Sequence, residues 1–165
     1  MFKLASLIFV SCISSIFTYN ISKISLKNNN VTIIEEPMMI LEIPKISFSG
    51  NIYKKESKLN DIDKNVIIMN DSNLPSDKNG IVIIGGHSGI GKYAYFKNLN
   101  KLQIGDKINL KYNKKTYIYE VVNYYLDNKD GSIKITNYNK KNKLIIYTCN
   151  PNDKNNYLVV ECILK

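Results

Sequence analysis

Apolar runs too short to be stable helices dominate this chain beyond Pro37. They are rich in Ile, Val and Tyr and are separated by Asn, Asp, Lys and Gly, the pattern of strands punctuated by turns. Strands are expected near Met39–Ile43, Ile46–Tyr53, Val66–Met69, Gly80–Gly86, Lys107–Tyr112, Thr116–Asn123, Ser132–Thr136, Lys143–Cys149 and Tyr157–Leu164. Asn113-Lys114-Lys115 has the composition of a hairpin turn. Only two short helices are expected, around Glu56–Ile62 and Tyr93–Asn100. So many short strands in one domain fold as a closed barrel or a sandwich. In the last strand, period-two alternation puts Leu158, Val160, Cys162 and Leu164 on a core face. Tyr157 and Glu161 are then expected to face outward, beside a groove.

Ahead of this domain, Leu4–Ile21 has no charged residue, which is the lower length limit for a bilayer-spanning helix. The run ends in Phe17-Thr18-Tyr19-Asn20 without a small-x-small cleavage pattern, so an uncleaved anchor is the expectation. The organisation read from the sequence is therefore an anchor over 1–21, a polar, irregular stalk over 22–37 and a β domain over 38–165. Lys3 precedes the apolar segment while Lys23 and Lys27 follow it, so lysine counting by itself does not orient the chain. The net charge is +9, and every one of the 23 cationic residues is lysine. That charge suits a compositionally biased genome as well as attraction to an anionic surface. Nucleic-acid binding is not expected, because the lysines are scattered and no recognition motif accompanies them.

Two side chains carry the chemistry. The chain's one histidine, His87, follows Ile83-Ile84-Gly85-Gly86, and Cys149 closes the apolar run Leu144–Thr148. A thiolate nucleophile and an imidazole that shuttles protons are what thiol-based acyl transfer requires. Gly85-Gly86 reads as a bulge or a close backbone approach. Three cysteines are too few for a disulfide framework; Cys162 reads as a small packed side chain, and a Cys149–Cys162 bridge is only a formal alternative. One histidine, no CxxC pair and scattered carboxylates supply no metal ligand set, and no cofactor is expected.

Several segments together resemble one family. Leu41-Glu42-Ile43-Pro44-Lys45-Ile46 looks like the first strand of a sortase, and Gly80–Gly89 resembles the strand that delivers the sortase histidine. Phe96–Leu102 followed by Gly105-Asp106-Lys107-Ile108 resembles the family's F..L..L..GD.I stretch, and Ile145–Pro151 its TLxTC signature with a trailing proline. In order and spacing the match runs from Leu41 to Leu164. The resemblance implies a sortase-like closed eight-stranded β-barrel and a membrane-anchored cysteine transpeptidase with its catalytic domain outside the cell. Such an enzyme cuts a sorting signal of Leu-Pro-X-Thr-Gly type, holds the front half as a thioester on Cys149, and passes it to an amine from a wall precursor or a pilin. His87 is implied as the proton shuttle, with Thr148 shaping the site. Its partners are surface proteins bearing the signal, the amine acceptor and the membrane. The ending directly after the last strand is taken to argue against the pilus-building type and leaves a general or sporulation-associated, class D-like sorter.

One departure stands out. Sortases carry an arginine at the start of the last strand, and Tyr157 occupies that position in a chain with no arginine. The Tyr157 hydroxyl or the Lys154 ammonium is expected to stand in, and the alternative is a degenerate sortase-fold module that binds peptides or surface polymers. Papain-like, NlpC/P60-type and transglutaminase enzymes place cysteine before histidine, the reverse of this chain. L,D-transpeptidases need a second histidine, and caspase-type enzymes need long helices.

Overall fold

The computed structural model describes residues 23–27, 30–76, 78–135 and 142–165. The Leu4–Ile21 segment lies outside them, and among the described residues no helix is long and apolar enough to cross a membrane. The chain separates into two compact units, Met1–Glu35 and Glu36–Lys165. In the first, β1 (Lys23–Lys27) and β2 (Asn30–Ile34) form an antiparallel hairpin, where an irregular stalk was expected. Its register sets Ile24 opposite Ile33 and Leu26 opposite Val31. That short alternating pattern is a hairpin signal which the polar composition around it had masked.

The second unit is all-β. Its strands are β3 (Met39–Ile43), β4 (Phe48–Ile52), β5 (Ile67–Ile68), β6 (Ile81–Gly85), β7 (Lys107–Tyr112), β8 (Lys115–Asn128), β9 (Lys143–Cys149) and β10 (Asn156–Leu164). They build one eight-stranded sheet in the order β4-β3-β7-β8-β10-β9-β6-β5. All neighbours are antiparallel except β6 and β9, which run parallel. The edge strands β4 and β5 are not paired with each other, so the barrel is nearly closed rather than closed.

Local chemistry explains the turns. Asn113 and Lys114 both have positive φ, 48° and 62°, and Tyr112 pairs with Lys115, which defines a two-residue hairpin loop of the mirror-image type that matches strand twist. In β8 the expected alternation holds: Tyr117, Tyr119 and Val121 are buried while Ile118 is exposed. A bulge opposite Glu161/Cys162 then shifts the phase of the strand. Beyond it, Leu126 and Tyr124 pair with the core-facing Leu158 and Val160.

Two expected helices and one expected strand are absent. Over Glu56–Ile62 the backbone turns, because side chains satisfy it: Leu59 N–H donates to Ser57 Oγ, and Asn60 bonds Ile68 through both its amide nitrogen and its oxygen. Such local bonds compete with a helical ladder. Over Tyr93–Asn100 the regular structure is a 3₁₀ turn, Leu99–Lys101, with Leu99 N–H bonded to Phe96 O. A second 3₁₀ turn, Pro44–Ile46, delays the start of β4. Residues Ser132–Ile135 form no strand, and Thr136 lies outside the described residues. There the Lys134 N–H donates to the Asp127 carboxylate and the Ser132 N–H to Asp130, side-chain bonds that compete with strand pairing.

The core fills the barrel, with Leu41, Ile43, Ile84, Leu110, Ile146 and Val160 at 0–1% exposure. A second, smaller cluster lies on the opposite side of the β9–β10 region, where Ile145, Tyr147 and Val159 are packed under Ile133, Ile135, Tyr125 and Tyr157. Strand β9 is consequently buried on both faces from Lys143 to Thr148, which is why its sequence is a continuous rather than an alternating apolar run.

Candidate active site

Register brings the histidine loop to the end of the cysteine strand. Parallel pairing of β6 with β9 sets Gly85 level with Tyr147. The two segments stay joined past the last ladder pair. Gly86 N–H donates to Tyr147 O at 3.3 Å, the Thr148 hydroxyl to Gly86 O at 2.7 Å, and the Ser88 hydroxyl to Cys149 O at 2.5 Å. His87 is thus flanked on both sides by residues tied to the Tyr147–Cys149 end of β9. Its own carbonyl accepts from Phe96 N–H at 2.9 Å, which turns the chain away after the imidazole.

The glycines before His87 are a packing requirement. A Cβ on Gly85 would lie 2.8 Å from the ring end of Tyr147, and one on Gly86 2.7 Å from the Phe96 ring. Close approach, and not a bulge, is therefore what Gly85-Gly86 permits.

Among the described residues the free cysteines are Cys149 and Cys162, and they are not equivalent. Cys162 is fully buried on the core face, and burial, reinforced by the Glu161 charge, pushes its thiol pKa far up. Such a thiol stays protonated and inert. Cys149 is half-buried at a strand end. No bridge joins the two: Cys149 pairs with Tyr157 and Cys162 with Leu144, five ladder positions apart in β9–β10.

Tyr157 sits directly opposite Cys149 in the β9–β10 register. Its ring meets Tyr147 edge to face at 5.4 Å, and the Lys129 ammonium lies 5.3 Å from its centroid. Burial, then the neighbouring Tyr157 and Cys149, pushes the Tyr147 hydroxyl up to about 12, and that hydroxyl donates to the Met69 sulfur at 2.8 Å. Thr148 points to the core side, its hydroxyl committed to Gly86. Lys154 is exposed in the β9–β10 loop.

Two features differ from expectation. Glu161 does not line an outward groove; it is 2% exposed and pairs with buried Lys143 at 3.3 Å. Alternation separates the two faces of a strand, yet cannot tell solvent from a second apolar layer. The open cavity beside β10, about 450 Å³, lies instead on the other face, against Leu158, Val160, Leu126 and Pro151. The second feature is Asp63, whose Oδ1 lies 3.1 Å from His87 Nε2. No motif marked it, since the contact depends on a turn network that sequence spacing does not show.

Comparison with known proteins gives the same family from several directions. The family model of the sortase domain matches residues 41–164, and the chain belongs to the sortase family. Sortase D of Bacillus subtilis (strain 168) is 33% identical over 112 residues, covering 68% of this chain and 54% of that protein. The chain thus spans about half the length of that relative. Among solved structures, a lid mutant of sortase A from Corynebacterium diphtheriae has a TM-score of 0.68 at 24% identity, over 79% of this chain and 72% of that one. A Clostridium perfringens sortase D5 transpeptidase has a TM-score of 0.64 at 24% identity, over 78% and 79% of the two chains. These two structures support the nearly closed barrel.

Proposed function

We propose that this chain is a membrane-anchored cysteine transpeptidase that cleaves a Leu-Pro-X-Thr-Gly-like sorting signal outside the cell. The observation that carries the reading is the hydrogen-bonded junction of the His87 loop with the Cys149 strand end. In the first half-reaction the Cys149 thiolate attacks the threonine carbonyl, and the tetrahedral oxyanion collapses to a thioester. The departing glycine amine takes its proton from the His87 imidazolium. In the second half, an incoming amine gives its proton to His87, forms the new amide and expels the thiolate. One amide bond is exchanged for another, so no cofactor or energy source is needed. Leu4–Ile21 is assigned as the anchor, and a class D-like sorter is the favoured subtype.

Incubating the protein with Leu-Pro-X-Thr-Gly peptides of varied X, without an amine acceptor, is expected to trap a mass adduct on Cys149. Absence of that adduct across the set would sink the proposal. Tyr157 is the specific observation in favour of a non-catalytic peptide-binding module. Removing a preorganised oxyanion donor costs about 10²–10³ in turnover. Tyr157→Arg is accordingly expected to raise kcat at least tenfold by supplying a fork of donors on the strand position opposite the thiol. A fall in kcat would mean that the tyrosine hydroxyl or ring has its own part in the reaction.

A further inference from the structure

The His87 imidazole has a partner to which the reaction above gives no task. We propose that Asp63 is a positioning residue that holds His87 through Nε2, so that Nδ1 is the nitrogen left to exchange a proton with Cys149; this deepens the reading of Cys149 as nucleophile. A carboxylate only accepts hydrogen bonds, so a contact of 3.1 Å between Asp63 Oδ1 and Nε2 selects the ring form protonated at Nε2. Nδ1 then carries the lone pair, the form a general base beside a thiol requires. A base oriented by a third group is the recurring arrangement of activated nucleophiles.

The turn that carries the Asp63 carboxylate is pinned through its backbone and its neighbours. Asp63 N–H donates to Asp61 Oδ1 at 3.0 Å, and the Lys64 ammonium binds Asp61 Oδ2 at 2.6 Å. That ammonium holds the Asp61 carboxyl below its usual range, so Asp61 remains an acceptor through the neutral region. The Tyr95 hydroxyl donates to Lys64 O at 2.8 Å, and the next residue, Phe96, donates its N–H to His87 O at 2.9 Å. The turn bearing the carboxylate and the loop bearing the imidazole are therefore tied to the same segment. The hydroxyls of Ser88 and Thr148 are committed to backbone carbonyls, Cys149 O and Gly86 O. The two side chains are 40% and 83% exposed, so solvent screens their charge attraction and orientation carries the effect.

The test uses the full-length protein in detergent, with Cys149 alkylation by iodoacetamide followed by peptide mass mapping so that Cys12 and Cys162 do not contribute. Asp63→Ala is expected to slow Cys149 alkylation about tenfold, as for a catalytic group allowed to drift from its reacting geometry. Asp63→Asn keeps an amide oxygen that accepts the same N–H and is expected to stay within about twofold of the unaltered protein. Because the chain has one histidine, long-range proton–nitrogen spectra report a single imidazole. At alkaline pH they should show the Nε2–H form in the unaltered protein and in Asp63→Asn, with an Nδ1–H population growing in Asp63→Ala. Equal alkylation rates, an unchanged tautomer pattern in Asp63→Ala, or an Asp63→Asn variant as slow as Asp63→Ala would overturn the inference. If both expected results hold while no sorting peptide acylates Cys149, the positioning role stands and the transpeptidase reading falls.

Discussion

Cys149→Ala, His87→Ala and the double variant are expected to fall to the same floor of transpeptidation, about 10⁴-fold or more below the unaltered protein. Residues that act as one unit lose their joint contribution when either is removed, so the second substitution has nothing further to take away. The geometry behind this expectation is the continuation of the β6–β9 register past Gly85–Tyr147, sealed by the Thr148–Gly86 and Ser88–Cys149 hydrogen bonds. The measurement is kcat/KM for each single variant and for the pair, with a fluorogenic sorting peptide. A double variant that is worse than either single by the product of their losses would mean that the two side chains act independently. A His87→Ala variant retaining a tenth of the activity would remove the imidazole from the proton-transfer role.

The second large effect concerns stability. Glu161→Leu is expected to lower the unfolding free energy by about 3–5 kcal/mol, because it leaves the Lys143 charge buried without its carboxylate. Lys143 and Glu161 are each 2% exposed and their charged atoms are 3.3 Å apart. Replacing both, as Lys143→Met with Glu161→Leu, is expected to restore stability to about the starting value or above it, since an apolar pair avoids the desolvation cost. Equilibrium urea unfolding of the three variants measures this. A loss for Glu161→Leu of under about 1 kcal/mol, the range of an exposed pair, would show that water reaches the two charges.

The strands were the most legible part of the chain. Lys107–Tyr112 and Lys143–Cys149 run as read, because long apolar or alternating runs report strand geometry directly. The core face of β10 was legible for the same reason: Leu158, Val160 and Cys162 all join the main core. Its other face was misread at Glu161, which is 2% exposed and paired with Lys143, because alternation does not tell solvent from a second buried layer. The expected helix over Glu56–Ile62 gave way to Asn60 and Ser57 bonding the backbone, a competition settled by tertiary contacts with Ile68.

His87 and Cys149 could be singled out before any coordinates because their chemistry is rare in this chain and each closes a recognisable run. Their neighbourhood could not. Asp63 reaches His87 through a turn network, Lys129 lies over Tyr157 from beyond the end of β8, and Gly86 is required by the buried Phe96 ring. From sequence alone came the all-β class, the family resemblance and the candidate pair His87 and Cys149. Only the tertiary structure decided which faces meet solvent, how the β6 and β9 ends are joined, and what holds the imidazole. Strand patterns are local, one or two residues deep, whereas sheet order, second-layer burial and cross-loop hydrogen bonds depend on where distant segments come to rest.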